Sequence, residues 1–216
     1  MTESDDTREI DEVLDFWFPE GVEPMIDPER HAEHWRWRMH GGADLAIASR
    51  FGPLTARGAA GTLDHWTKTP KGRLALIIVL DQFSRSLWRN SALAWAQDPA
   101  ALALTLAGLE NGDWMELAAP WFQIAFTQPL GHAEGPGHLA RIDRLIALRK
   151  GITARAPAQL RPIYASLVDQ AEQVRHVIAS FGRHPHRNAF LGRRSTPEEE
   201  SYLEKGVFPH QRAFLN

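Results

Sequence analysis

The chain has no cysteine in 216 residues. That excludes a disulfide framework, a thiolate metal site and a cysteine nucleophile, and it fits a reducing, cytoplasmic location. Long apolar runs are missing too. The cleanest is Leu74-Ala75-Leu76-Ile77-Ile78-Val79-Leu80, far short of the roughly 20 residues that span a bilayer. The start, Met1 to Asp6, is polar and acidic, unlike a signal peptide. Neither sign of charge dominates: 24 basic residues stand against 27 acidic ones, a formal charge of −3. The chain therefore has no global attraction for nucleic acid or an anionic membrane. No P-loop, dinucleotide fingerprint, zinc-protease helix or Gly-x-Ser-x-Gly elbow occurs. Period-two alternation is scarce, so strands are not expected.

Hydrophobic residues make up 44% and charged residues 24%, enough apolar side chain to bury a core in one domain over residues 1–216. Eight Trp and ten Phe dwarf two Tyr. Rings of that size serve mainly as core anchors; Trp35 and Trp37, His65-Trp66 and Trp121-Phe122 are read as packing residues.

Helix punctuation recurs as a capping oxygen followed by Pro at the first helical position, at Asp27-Pro28, Thr69-Pro70, Asp98-Pro99 and Thr196-Pro197. Glu199 completes a capping box with Thr196. Starts and stops together predict helices over Thr7–Phe18, Pro28–His40, Asp44–Phe51, Pro53–Trp66, Pro70–Trp88, Pro99–Glu110, Trp121–Phe126, Gly137–Lys150, Pro157–Phe181 and Pro197–Glu204. Leu74 to Leu80 could be a buried strand by periodicity alone, but the pattern continues to Trp88 without a turn signal and reads as helix. Small residues between Ser91 and Leu109 suit close helix packing, without a fixed repeat period. Gly131 to Gly137 reads as a loop, and the tail from Val207 to Asn216 as loosely held.

Three constellations could carry chemistry. Asp81, Arg85 and Arg89 fall on one helical stripe, within about 80°; a structural ion pair and a ligand contact both fit. Gln82 and Ser84 read as local hydrogen-bonders. His132 and Glu134 could place an imidazole beside a carboxylate for proton transfer, or simply satisfy loop backbone. In Arg183-His184-Pro185-His186-Arg187-Asn188, guanidinium groups could clamp a carboxylate or phosphate, or the segment could be an elaborate helix stop. His132, Glu134, His184 and His186 also offer metal-ligand chemistry. His-x-His is not a helical metal pair and the flanking Arg charges repel a cation, so no metal or other cofactor is expected.

Several segments, in order, resemble a bacterial family catalogued as domain of unknown function 924. They are Val13-Leu14-Asp15-Phe16-Trp17-Phe18, Gly72-Arg73-Leu74-Ala75-Leu76-Ile77, Leu80-Asp81-Gln82-Phe83-Ser84-Arg85, the Pro129 to Glu134 segment, Phe181 to Asn188, Leu191-Gly192-Arg193 and Ser195-Thr196-Pro197-Glu198-Glu199. The resemblance implies an all-helical fold similar to tetratricopeptide-repeat proteins and imports no reaction. It also marks three departures. The family pattern has Ser where Ala133 stands, commonly His where Val174 stands, and usually Phe where His184 stands.

The expectation is thus an all-α, tetratricopeptide-repeat-like bundle of antiparallel helices with a pocket for an anionic small molecule. Arg85, Arg183 and Arg187 would hold the anion, with Arg89, His184 and Asn188 beside them. His132 or His186 would move a proton, oriented by Glu134 or Asp81. The rival expectation is a non-catalytic scaffold gripping a peptide or protein partner; oligomeric state is not legible. The pocket reading requires Arg85, His132, Arg183 and His186 to meet in one cleft of roughly a few hundred Å³. Elemental analysis of the purified protein should find only trace metal; a stoichiometric transition metal would reverse the reading of the imidazoles.

Overall fold

Thr69 and Pro70 start the helical run around which the other helices pack. The Thr69 hydroxyl accepts from the Gly72 amide at 3.1 Å, and Pro70 occupies the first turn, where no amide hydrogen is needed. In the computed structural model, which describes residues 3–21, 26–206 and 208–209, every residue from Gly72 to Ser84 is buried. The run comprises α4 (Pro70–Ile77), a π-helical turn (Ile78–Phe83) and α5 (Ser84–Leu87). Leu74 to Leu80 is therefore helix, apolar all round because both sides are covered.

α1 (Glu3–Trp17) and α3 (Asp44–Ala59) pack against this run, as do α6 (Asp98–Glu110) and α8 (Pro120–Thr127). Phe16, Phe51 and Phe83 meet with centroids 5.0 to 6.0 Å apart. On the α6 side a missing side chain sets the spacing. A Cβ on Gly108 would lie 2.4 Å from the Phe126 ring. α7 (Asp113–Glu116) and α9 (Pro129–His132) are short connecting turns. α10 (His138–Arg155) and α11 (Arg161–Phe181) form an antiparallel hairpin. Its register is fixed by Arg149 donating to the Leu167 carbonyl, Lys150 pairing with Glu172 and Asp143 with Arg175. Gly182 ends α11 in the left-handed region at φ 69°, and α12 (Pro197–Glu204) begins with the Thr196/Glu199 capping box. Among the described residues there is no strand, and no helix is long and apolar enough to cross a membrane.

Several boundaries differ from the sequence expectation: α1 starts earlier, at Glu3, and α11 later, at Arg161. α3 runs unbroken through Pro53. The carbonyl that Pro53 leaves unserved belongs to exposed Ser49, where water can reach it, while Phe51 and Leu54 hold both halves to the core. The chain then turns at Gly61 into a 3-10 turn, Asp64–Lys68, so α3 stops at Ala59 and Trp66 sits in the 3-10 turn. α10 continues past Gly151 because the next turn buries Ile152. Pro129 to His132 is helical rather than loop. The tail reading falls largely on residues outside the described ones.

Glu20, just beyond α1, is gripped by α2 (Pro28–Met39). Wholly buried Arg38 donates to it at 2.9 Å and to the Trp17 carbonyl at 2.6 Å. His31 lies 3.0 Å from Glu20 and 3.1 Å from the Tyr164 hydroxyl of α11. Burial alone would raise the Glu20 carboxyl; His31 and Arg38 outweigh it and hold it down to about 2. Removing one side of such a pair leaves a buried charge without its partner. Arg38→Ala should cost about 3–5 kcal/mol in denaturant unfolding, and a loss below about 1 kcal/mol would show that the cluster does not hold the helices together.

Candidate functional site

The π-helical turn inserts extra backbone into the central helix and puts Asp81 and Gln82 at its end, beside Arg85. From there a line of alternating charges crosses the molecule. His132 Nδ1 lies 2.8 Å from Asp81 Oδ1, and Arg85 Nη1 lies 3.1 Å from the same oxygen. Arg85 Nη2 donates to Asp98 Oδ1 at 2.7 Å, and Arg187 Nη1 donates to Asp98 Oδ2 at 3.0 Å. Gln82 donates to the second Asp81 oxygen and Arg89 to Asp44. Four stretches far apart in sequence are thereby joined: α9, the central helix, the start of α6 and the 3-10 turn Pro185–Arg187.

Burial would raise the Asp81 carboxyl, but Arg85 and then His132 more than reverse it, so Asp81 is ionised. An ionised carboxylate only accepts, so His132 donates from Nδ1 and Nε2 is its basic nitrogen. Burial lowers the His132 pKa despite Asp81, with Arg85 adding to the fall; the imidazole is neutral near pH 7. His186 is pushed down to about 3, first by burial and then by the Arg187 charge.

Arg85, Arg89, His132, His186 and Arg187 line one cavity of about 160 Å³, with wholly buried Asp81 directly behind His132. Arg149, Leu145 and Val174 line it from the α10–α11 hairpin. Trp95 and the partly exposed Phe190 sit at its edge, centroids 5.7 Å apart, with the Arg187 guanidinium 5.3 Å from the Trp95 ring. Asn90, in the left-handed region at φ 62°, turns the chain beside them.

Gln82 lines this cavity too, whereas Arg183, His184, Asn188 and Glu134 do not. Arg183 donates to Glu199 at 2.6 and 2.7 Å, and Asn188 donates to Glu199 at 3.1 Å and to Ser195 at 3.0 Å. Glu134 accepts from the His184 amide at 2.7 Å and from Arg193. His184 is fully buried, its Nε2 3.2 Å from the Gly131 carbonyl and its ring edge-on to His138 at 5.3 Å. These four clasp the segment after α11 to α9 and α12. The placement suits a position where the resemblance implies Phe.

Two residues escaped the sequence reading. Asp98 looked like a helix cap, but Gln97 takes the cap position and Asp98 turns inward. Nothing in the sequence distinguishes those roles. Arg149 did leave a sign: Ile142, Leu145, Ile146 and Ile152 form the buried stripe of α10, and Arg149 interrupts it. It is buried, donates to the Leu167 carbonyl and to Gln128 Oε1 at 2.6 Å each, and leaves Nε without a partner. No carboxylate among the described residues pairs with it. Burial pushes it down to about 10, which still leaves it cationic at neutral pH.

Residues 13–207 match the family of bacterial proteins of unknown function, DUF924. The chain belongs to this family. A solved structure of a protein of unknown function from Agrobacterium tumefaciens is similar as well, at 28% identity and a TM-score of 0.70, covering 93% of this chain and 99% of that one. No curated protein matches. The DUF924 match includes both the cavity and the clasp around Glu199. Val174, where the resemblance implies a histidine, is one of the apolar residues of the cavity wall, and His176 is exposed.

The depressed histidine fixes a pH dependence. His186 binds its proton at about 6.5 when unfolded but only near 3 when folded. Its contribution to stability is therefore complete above about pH 6.5 and is lost as pH falls toward 3. Across that window His186→Phe should flatten the fall of unfolding free energy by up to about one proton. An unchanged slope would show that the imidazole is not held neutral.

Proposed function

We propose that this protein binds an anionic small molecule in the Arg/His-lined cavity, and that His132, oriented by Asp81, exchanges a proton with it. The observation that carries the reading is Arg149. A buried guanidinium with no carboxylate beside it costs free energy unless an anion answers it. Arg85, Arg89 and Arg187 are already answered by Asp81, Asp98 and Asp44. These pairs hold the guanidinium groups in fixed positions around the cavity, so little has to rearrange when a ligand enters. Neutral His132 has an ionised carboxylate behind it, an arrangement suited to general-base work.

The compact cavity supports a small molecule over a long peptide, which needs an open groove. The tetratricopeptide-like description of the bundle belongs to the same proposal and is supported by the α10–α11 hairpin. A cytoplasmic location fits a helical chain without cysteine.

A thermal-shift screen against carboxylates and phosphates tests the reading. A ligand at about 100 times its dissociation constant should add roughly 2.7 kcal/mol of stability. Arg149→Met should fold, since an apolar chain of similar length replaces an unanswered charge, and should lose the response. Stabilisation of both proteins alike, or of neither by any anion, would overturn the proposal.

A further inference from the structure

Charge and shape of the cavity wall together narrow the ligand class. Around it stand four guanidinium groups, on Arg85, Arg89, Arg149 and Arg187, against the carboxylates of Asp44, Asp81 and Asp98. Asp98 serves two cations and Asp81 one of the same two, so that group is balanced; Arg89 is balanced by Asp44. Only the Arg149 charge is left over. A dianion would bring one negative charge more than the wall can answer, at the cost of taking it out of water.

The second observation is what lies next to Arg149. Asp143 pairs with Arg175 across the antiparallel hairpin, so the residues just after Asp143 on α10 face those just before Arg175 on α11. Leu145 and Val174 occupy that level, and both line the cavity. They are 3% exposed each, so an apolar ligand segment there would meet apolar atoms on both helices. The spacing from Arg149 to Leu145 is about 6 Å along the helix. Ala171, about one turn before Val174 on α11, adds a further apolar side chain to the lining.

Resting on the anion-binding reading above, we infer that the ligand is a monocarboxylate with an apolar body, its carboxylate on Arg149 and its body between Leu145 and Val174. A carboxylate presents two oxygens to a guanidinium in the planar manner it favours, and Arg149 lines the cavity with only the neutral acceptors of Leu167 and Gln128 beside it. The apolar body gains by leaving water, and each added methylene inside the cavity should tighten binding about fourfold until the space between the helices is full.

Calorimetry on the full chain tests this with acetate, hexanoate, phenylacetate, hexanamide, butanedioate and inorganic phosphate. Hexanoate or phenylacetate should bind at least tenfold more tightly than acetate, butanedioate or phosphate, and hexanamide should not bind measurably. Val174→Thr should weaken the hexanoate complex about fourfold and leave acetate unchanged, while Arg149→Met should remove binding of both. Tightest binding of phosphate or butanedioate would overturn the monocarboxylate assignment and leave the anion reading standing. Absence of binding by every anion would overturn both. If Val174→Thr weakened acetate and hexanoate equally, the placement of the apolar body would fall.

Discussion

Two buried carboxylates, Asp81 and Asp98, hold this molecule's interior in one arrangement. Each is expensive to take out of water, and each is tolerated because cationic or hydrogen-donating groups close on it, three on Asp81 and two on Asp98. The groups that close on them come from α9, the central helix and the segment after α11. No pair of neighbouring helices could satisfy both carboxylates alone. The charge line is therefore a tertiary constraint: the helices are positioned by the core, and the charges select one relative placement among the many that apolar packing would accept. The Glu20–Arg38 pair does the same where α1 meets α2.

Separate use of similar residues is the other theme. The stretch Arg183 to Asn188 looks uniform in sequence, a dense run of donors around Pro185. In the fold its members face opposite ways. Arg183, His184 and Asn188 secure the chain to α9 and α12, whereas His186 and Arg187 point to the cavity. The 3-10 turn at Pro185–Arg187 carries the two cavity residues, and the residues that secure the chain flank it on either side.

Much of the helical architecture was legible because caps and prolines act locally. Thr69-Pro70, Thr196-Pro197 with Glu199, and Gly182 each do in the fold what their chemistry predicts. Local signals failed where burial outweighed them. Pro53 looks like a helix start and Gly151 like a stop, yet Phe51, Leu54 and Ile152 gain more by continuing helix into the core. The same held for the site. Arg85, His132, His186 and Arg187 announce themselves by residue type, but Asp98 shares its local sequence with any capped helix, and its inward turn depends on Arg85 and Arg187, which lie 13 and 89 residues away. Arg149 was readable as one cation on an apolar stripe, a pattern that a search confined to dense polar motifs passes over.

The π-helical turn carries one further consequence. An inserted residue shifts the angular phase of everything after it by about 100°. Upstream, Leu74 to Ile77 are buried in the hydrophobic core; downstream, Arg85 pairs with Asp98 and lines the cavity. The central helix is therefore two devices spliced out of step: an apolar upstream half that belongs wholly to the core, and a downstream half whose Arg85 belongs to the charge line and the cavity wall.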